Sequence, residues 1–442
     1  MTISELYTLY KQHPIITTDS RTCEPGSIFF ALKGESFNGN MYADKALQTG
    51  CSYAVIDDTS VKNDPRMIVV DNVLDTLQQL ARLHRQTLGT KVIGITGSNG
   101  KTTTKELTSA VLSQKYNTLY TLGNLNNHIG VPLTLLRLTN EHDIAVIEMG
   151  ANHPGEIREL ANIAMPDFGI ITNVGYAHLE GFGSFEGVIR TKGELYDYIR
   201  ATEGKVFIDK DNNYLTGIAE GLNLITYGDA TCNSEPSTTQ EPFIGGHIID
   251  SQPYLSFRWQ INGDSCNTYN TKTNLVGNYN LRNALAAIAM GVYFDVTPEQ
   301  INSAIESYEP TNNRSQLKET ANNTLIIDAY NANPSSMQAA LENFSLSSDC
   351  QSAPKAIILG DMRELGDKSL ELHASIVALV DKCNVQKVIL CGEQFSAAGQ
   401  KYNCFNSVEE LSEYLESKPL QGYTILIKGS RGAHLEKIID KL

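Results

Sequence analysis

The stretch Gly94-Ile95-Thr96-Gly97-Ser98-Asn99-Gly100-Lys101-Thr102-Thr103 leaves this chain few folds to choose from. The residues before it, Lys91-Val92-Ile93-Gly94-Ile95, are short and β-branched, the pattern of a buried strand. Those after it, Thr104 to Leu112, carry an apolar stripe at helical spacing. Strand, glycine loop, Lys-Thr and helix is the arrangement that holds nucleotide phosphates. Glycines let successive N–H groups curl toward one point, and the helix N-terminus adds partial positive charge. In such a loop Lys101 lies along the outer phosphates and the Thr102 hydroxyl faces a magnesium ion. The spacing departs from the strict Walker form at Ile95, where a glycine is usual, but Gly97-Ser98-Asn99-Gly100-Lys101-Thr102 is intact. The competing reading is a glycine turn with no ligand.

A chain of 442 residues is too long for one core, so two or three domains are expected. Its net charge is −15 and no basic stretch stands out, which argues against nucleic acid or an anionic membrane surface as partner. The eight cysteines are scattered and form no C-x-x-C pair, a pattern of apolar fillers in a reducing compartment. The N-terminus lacks a basic region with an apolar core, and no apolar run approaches ~20 residues. A soluble, cytoplasmic protein without membrane insertion is expected.

Residues 1–84 form a first unit. Turn-rich Asp19-Ser20-Arg21 and Lys33-Gly34-Glu35 flank a strand at 27–32, with strands at 53–56 and 67–70 and a helix from Leu77 to His84. The loops carrying Arg21 and Lys33 either hold an anionic ligand or are hairpin turns with solvated charges. Residues 85–310 alternate strand and helix, the pattern of a parallel sheet. The apolar run Ile144-Ala145-Val146-Ile147 ends in Glu148, and ligands of doubly wound sheets gather at such strand ends. Glu148 is a magnesium candidate or a capping acid. The next strand, Gly169 to Val174, runs into Ala177-His178, which puts His178 on the same rim as a metal ligand or a structural histidine. Asn124, Asn126 and Asn127 offer amides to a peptide-like ligand, or an Asx loop and helix cap. Lys192 by itself reads as solvated, and residues 229–243 as a polar surface excursion. In residues 311–442, apolar runs end at Asp328, Gly360-Asp361, Cys391-Gly392 and Lys428-Gly429, describing a Rossmann-like sheet. Asn333-Pro334 opens a helix with Asn as N-cap and Pro in the first turn.

With these stretches in order, the chain resembles the Mur ligases over nearly its whole length. Thr96 to Thr102, the Glu148 strand end, Asn173-Val174-Gly175 with Ala177-His178, Lys192-Gly193-Glu194, and Gly277-Asn278-Tyr279-Asn280 with Asn283 are similar to that family's central motifs. Asp19-Ser20-Arg21 and Gly34 are similar to its uridine-nucleotide-binding domain. Gly123 to Asn127, Asp328 to Pro334, Gly360-Asp361-Met362-Arg363-Glu364-Leu365-Gly366 and Lys428-Gly429-Ser430-Arg431 resemble the dipeptide-adding branch. The diamino-acid-adding branch carries an Asp-Asn-Pro-Arg motif that is absent here. Departures are Tyr279, where the family has histidine, and the polar surroundings of Arg314.

The resemblance implies an α/β protein of three domains: a small mixed α/β N-terminal domain, a central P-loop-type parallel sheet and a Rossmann-like C-terminal domain. It implies an amide ligase that phosphorylates a peptide carboxylate with ATP and joins it to an amine, with UDP-MurNAc-tripeptide and D-alanyl-D-alanine as substrates. Lys101, Lys192, His178 and Glu148 would be catalytic. Gly97, Ser98, Asn99, Gly100, Lys101, Thr102, Thr103, Asn280, Asn283, Arg314 and Asn331 would bind ATP. Ser20, Arg21, Gly34, Asn126 and Asn127 would bind the other substrate. Two Mg2+ ions would be held by Thr102, Glu148, His178 and Lys192, the lysine as a carbamate. Domain closure about a hinge near Pro310 and a monomeric state are also implied. The alternatives are a diamino-acid-adding Mur ligase, a folylpolyglutamate synthase, or, from another class, a P-loop ATPase switch.

Overall fold

The structure is a computed structural model that describes residues 1–229, 243–261, 268–310, 314–346 and 353–442. Most of the expected surface excursion at 229–243 lies outside them, as do residues 311–313 beside the expected hinge. Three α/β units carry three sheets, the architecture expected. Among the described residues no helix is long and apolar enough to cross a membrane.

The first sheet runs Ile16–Thr17, Ile28–Phe30, Tyr53–Ile56, Met67–Val69, all parallel. The helix Val73–Leu88 that follows is longer than the apolar stripe suggests. Asn72 caps its start by accepting from the Asp75 N–H, and left-handed Gly89 closes its end. The expected domain edge at residue 84 therefore falls inside a helix. Leu77 and Leu80 of that helix share one core with Val131, Leu135 and Leu160, which welds the first unit to the second.

The second sheet has nine strands in the order Thr268–Lys272, Ser256–Ile261, Ile244–Asp250, Asn223–Asp229, Lys205–Asp209, Phe168–Ile171, Lys91–Thr96, Ile144–Glu148, Thr118–Tyr120. Lys91–Thr96 pairs with Ile144–Glu148 on one side and Phe168–Ile171 on the other, so strand order reverses beside it. That reversal opens a crevice at the strands' carboxyl ends. The sheet departs from the parallel arrangement that its alternating pattern predicts: Ser256–Ile261 is antiparallel to both neighbours. The connections there are too short for a crossover helix, so only hairpins close them. Trp259 anchors this meander, donating from Nε1 to Thr271 Oγ1 at 3.1 Å and Asn302 Oδ1 at 2.9 Å.

The third sheet runs Gln316–Glu319, Thr324–Asp328, Thr424–Lys428, Lys355–Gly360, Lys387–Cys391, Asn403–Phe405. Among the described residues only its first pair is antiparallel. Asp328, at the end of one of its strands, and Ser430, just past the end of another, line the same cavity as the rim of the second sheet. The described cysteines are all free thiols.

Leu285, fully buried on the helix Asn280–Tyr293, packs so closely that a Cβ on Gly246 would lie 2.6 Å from its Cδ2. Leu285→Ala should therefore cost the middle domain about 2–5 kcal/mol. Urea unfolding followed by the fluorescence of Trp259, the single tryptophan of the chain, measures it.

Candidate active site

The phosphate loop is held open from behind by the strand end next to it. Thr172 Oγ1 and Asn173 Nδ2 both donate to Asn99 O, at 2.6 and 2.9 Å, and Asn99 N–H donates to Asn173 Oδ1 at 3.0 Å. Ser98 Oγ donates to Gly175 O and accepts from the Gly175 N–H. Two glycines make this possible. Gly97 has φ +147° and a Cβ there would sit 2.0 Å from Thr172 Oγ1; Gly100 has φ +77° and a Cβ would meet Asn283 Oδ1 at 2.4 Å. Lys101 Nζ folds back onto Gly97 O at 2.7 Å and Ser98 O at 3.3 Å. Burial lowers its proton affinity, and nearby Glu148 opposes that.

The helix Lys101–Leu112 brings Thr102 to Glu148, with Oγ1 donating to Oε1 at 3.3 Å. Asn126 Nδ2 donates to the same oxygen at 2.8 Å. Glu148 is almost wholly buried, and among the described residues its other oxygen, Oε2, has no hydrogen-bond partner. A buried, unpartnered carboxylate oxygen beside a phosphate loop fits a hard cation. Among the described residues no group of three or more His, Cys, Asp or Glu could hold a metal alone. Such a donor set suits magnesium, which takes one or two carboxylates and completes its shell with phosphate oxygens and water.

His178 lines the same cavity, of about 900 Å3, with Glu148, Thr102 and Lys101. The sequence reading thus put these strand-end groups on one rim. Lys192 is buried but does not line the cavity; its Nζ donates to Ala151 O at 3.4 Å and lies 5.1 Å from the centre of the Phe182 ring. Burial, reinforced by the charge of Lys101, pushes its amine well below the ordinary lysine range. It is not the solvated side chain that its local sequence suggests.

Asn126 and Asn127 line the cavity as well. Asn127 Oδ1 is engaged locally, accepting from the N–H groups of Ile129 and Gly130 in an Asx-type loop ahead of the helix Gly130–Leu135. Asn280 and Asn283 brace one another and the loop: Asn283 Nδ2 donates to Asn280 Oδ1 and Thr104 Oγ1 donates to Asn283 Oδ1. Tyr279 bonds Ser315 Oγ at 2.8 Å, tying the start of their helix to the last domain. Arg314 stacks on Tyr330, with Cζ 3.9 Å from the ring centre. Asn331 lines the cavity and turns its Oδ1 to the N–H of Ala332. Ser20, Arg21 and Gly34 lie elsewhere, on the loops of the first sheet. Arg21 pairs with Asp19 at 2.7 Å and Lys33 with Asp57 at 2.8 Å.

Several residues at the cleft make contacts that their local sequence does not show. Asn333, read as a helix cap within a motif of the resembling family, accepts from Ser336 N–H and also donates from Nδ2 to Asn99 Oδ1 at 2.8 Å. Ser335 Oγ accepts from the Tyr176 N–H, and the Glu364 carboxylate pairs with His178. The last domain thereby touches the phosphate loop directly.

A phosphate loop at the switch point of one sheet, faced by the rim of a second, defines a nucleotide-binding enzyme that works in a cleft between domains. Three family descriptions match in succession: "Mur ligase family, catalytic domain" over 14–85, "Mur ligase middle domain" over 95–291 and "Mur ligase, glutamate ligase domain" over 313–431. The UDP-N-acetylmuramoyl-tripeptide–D-alanyl-D-alanine ligase of Bacillus subtilis is 37% identical over 97% of this chain and 92% of its own. A crystal structure of MurF from Acinetobacter baumannii superposes with a TM-score of 0.86 at 30% identity, covering 100% of this chain and 98% of that one. MurF from Thermotoga maritima in complex with ADP gives 0.83 at 25% identity, with 97% of each chain covered. The chain belongs to the Mur ligase family of ATP-dependent, amide-forming ligases.

Gly97→Ala places a methyl group on Thr172 Oγ1 and strains a backbone suited to glycine. Titration calorimetry with Mg·ADP should show affinity lowered at least tenfold, about 1.4 kcal/mol.

Proposed function

We propose that the protein joins D-alanyl-D-alanine to UDP-MurNAc-tripeptide at the expense of ATP, acting as a cytoplasmic monomer in peptidoglycan precursor synthesis. The observation that carries the chemistry is the unpartnered oxygen of Glu148 beside the phosphate loop. The likeness to the Bacillus subtilis ligase along nearly the whole chain supports the choice of substrates. In this reading residues 1–84 seat the uridine nucleotide through Ser20, Arg21 and Gly34. Residues 85–310 bind ATP and carry the chemistry, and 311–442 bind the dipeptide and close over ATP.

A carboxylate is a poor electrophile, so it is first converted to an acyl phosphate by the γ-phosphoryl group of ATP. The dipeptide amine then attacks the acyl carbon, and phosphate leaves. Two anions meet in the first step, and Lys101 screens them once its ammonium turns from Gly97 O to the phosphates. Backbone N–H groups of Gly97 to Thr103 hold the phosphates, while Asn280, Asn283, Arg314 and Asn331 flank the nucleotide. Asn126 and Asn127 face the peptide. Thr102 and Glu148 would hold one magnesium ion, and His178 with Lys192 a second. Bound magnesium supplies charge neutralisation at the phosphates. An amine that loses its proton readily is the form that adds to carbon dioxide, so the buried Lys192 suits carbamylation, which releases one proton and yields an anionic ligand.

Mass spectrometry of a mixture of UDP-MurNAc-tripeptide, D-alanyl-D-alanine and ATP should show the pentapeptide product and ADP. Product only with a diamino acid and the matching shorter acceptor, or ATP turnover with no amine, overturns the reading. Lys101→Ala should lower kcat on the order of 100-fold or more. Carbon-13 bicarbonate should give a carbamate carbonyl resonance that Lys192→Ala lacks. Acidification should erase that resonance, and activity with it, because a protonated amine cannot hold carbon dioxide. An unmodified Lys192 amine in fully active enzyme overturns the carbamate.

A further inference from the structure

The segment 361–366 is a rigid finger. Its base is pinned on several sides: Asp361 carboxylate oxygens accept from the N–H groups of Gln394 and Phe395 at 3.0 and 2.9 Å. Ser430 Oγ donates to Asp361 O at 2.6 Å, and His373 Nε2 accepts from the Met362 N–H at 3.0 Å. Leu365 is buried in the last domain's core. At the tip stands Glu364, with a left-handed backbone at φ +61° that side-chain-bearing residues rarely adopt.

This tip lies against the middle domain. Glu364 O accepts from the Glu180 N–H at 3.2 Å, and a Cβ on Gly366 would touch Glu180 at 3.6 Å. The Glu364 carboxylate reaches Nδ1 of His178, which among the described residues has no other partner. His178 also has a left-handed backbone, φ +51°, and its ring packs edge-on against Phe182 with centroids 6.0 Å apart. The imidazole is thus gripped between an aromatic wall and a carboxylate. With Nδ1 committed, Nε2 is the nitrogen left to serve the cavity that His178 lines. A carboxylate on the far nitrogen sets both the tautomer and the ring orientation of a ligating histidine.

We propose that Glu364 is a positioning residue, which reaches across the domain boundary to orient His178 with Nε2 toward the nucleotide cleft. The inference rests on the reading of His178 as a metal ligand. It adds that the orienting group comes from the other domain, so the histidine is set only where the last domain is docked. Glu364 also lines the cavity, and in this scheme it acts through His178.

The test is direct binding of Mn2+ to the ADP complex, read by electron paramagnetic resonance, in wild type and in Glu364→Ala, Glu364→Gln and His178→Ala. Glu364→Ala should weaken Mn2+ binding at the affected site 10- to 100-fold, the range for loss of a ligand's orienting partner. Glu364→Gln should recover most of it, since its amide oxygen still accepts from Nδ1–H. Thermal midpoints and metal-free ADP affinity should match wild type in all three. Unchanged Mn2+ affinity in Glu364→Ala, with His178→Ala impaired, overturns the positioning role alone. Unchanged affinity in His178→Ala overturns the metal reading and this inference together. Equal losses in Glu364→Ala and Glu364→Gln, with a lowered thermal midpoint, mean that the finger is merely structural.

Discussion

Everything at the cleft depends on how Asn99 is held. Its N–H and C=O are both taken by Asn173 and Thr172, and its side chain by Asn333. A loop rich in glycine has high conformational entropy when free, and ordering it costs about 1–2 kcal/mol per residue. The neighbouring strand end supplies that ordering in advance, so a nucleotide meets a formed cradle rather than one it must assemble. The Gly97 and Gly100 conformations are the local consequence: only residues without a Cβ leave room for the Thr172 hydroxyl and the Asn283 amide.

The contacts that close the cleft are of a different character. Besides the Glu364–His178 pair they are single hydrogen bonds between neutral groups, such as Asn99 with Asn333, Tyr176 with Ser335, and Asn278 with Asn343. Each is worth about 0.5–1.5 kcal/mol net. The first unit, by contrast, is joined to the second through one apolar core that runs from Leu77 and Leu80 into Leu135 and Leu160. Burial of that kind is costly to undo, whereas a few polar contacts exchange readily for water. The last domain is therefore held to the middle one less firmly than the first domain is.

Much of the middle domain was legible because its signals are local. Strand, glycine loop and helix sit within about twenty residues, and Glu148 and His178 follow apolar runs whose ends define the rim of a parallel sheet. The antiparallel meander around Trp259 escaped this reading. Its half-buried strands alternate too briefly to separate from turns, and hairpin pairing depends on neighbours rather than composition. Lys192 was misread for a related reason. A lysine on a helix is usually solvated, and only packing against Phe182 and Ala151 buries this one.

By itself, then, the sequence determined the nucleotide loop and the strand-end acids, which follow from short-range spacing and residue type, and its motifs in order carried the resemblance to the family. Tertiary structure alone decided which groups meet across 234 residues, as Asn99 and Asn333 do, or bring Glu364 to His178. Those pairings belong to the docking of two separately folded sheets. Their partners have no periodicity or local geometry that links them along the chain, so nothing but the packed molecule could bring them into view.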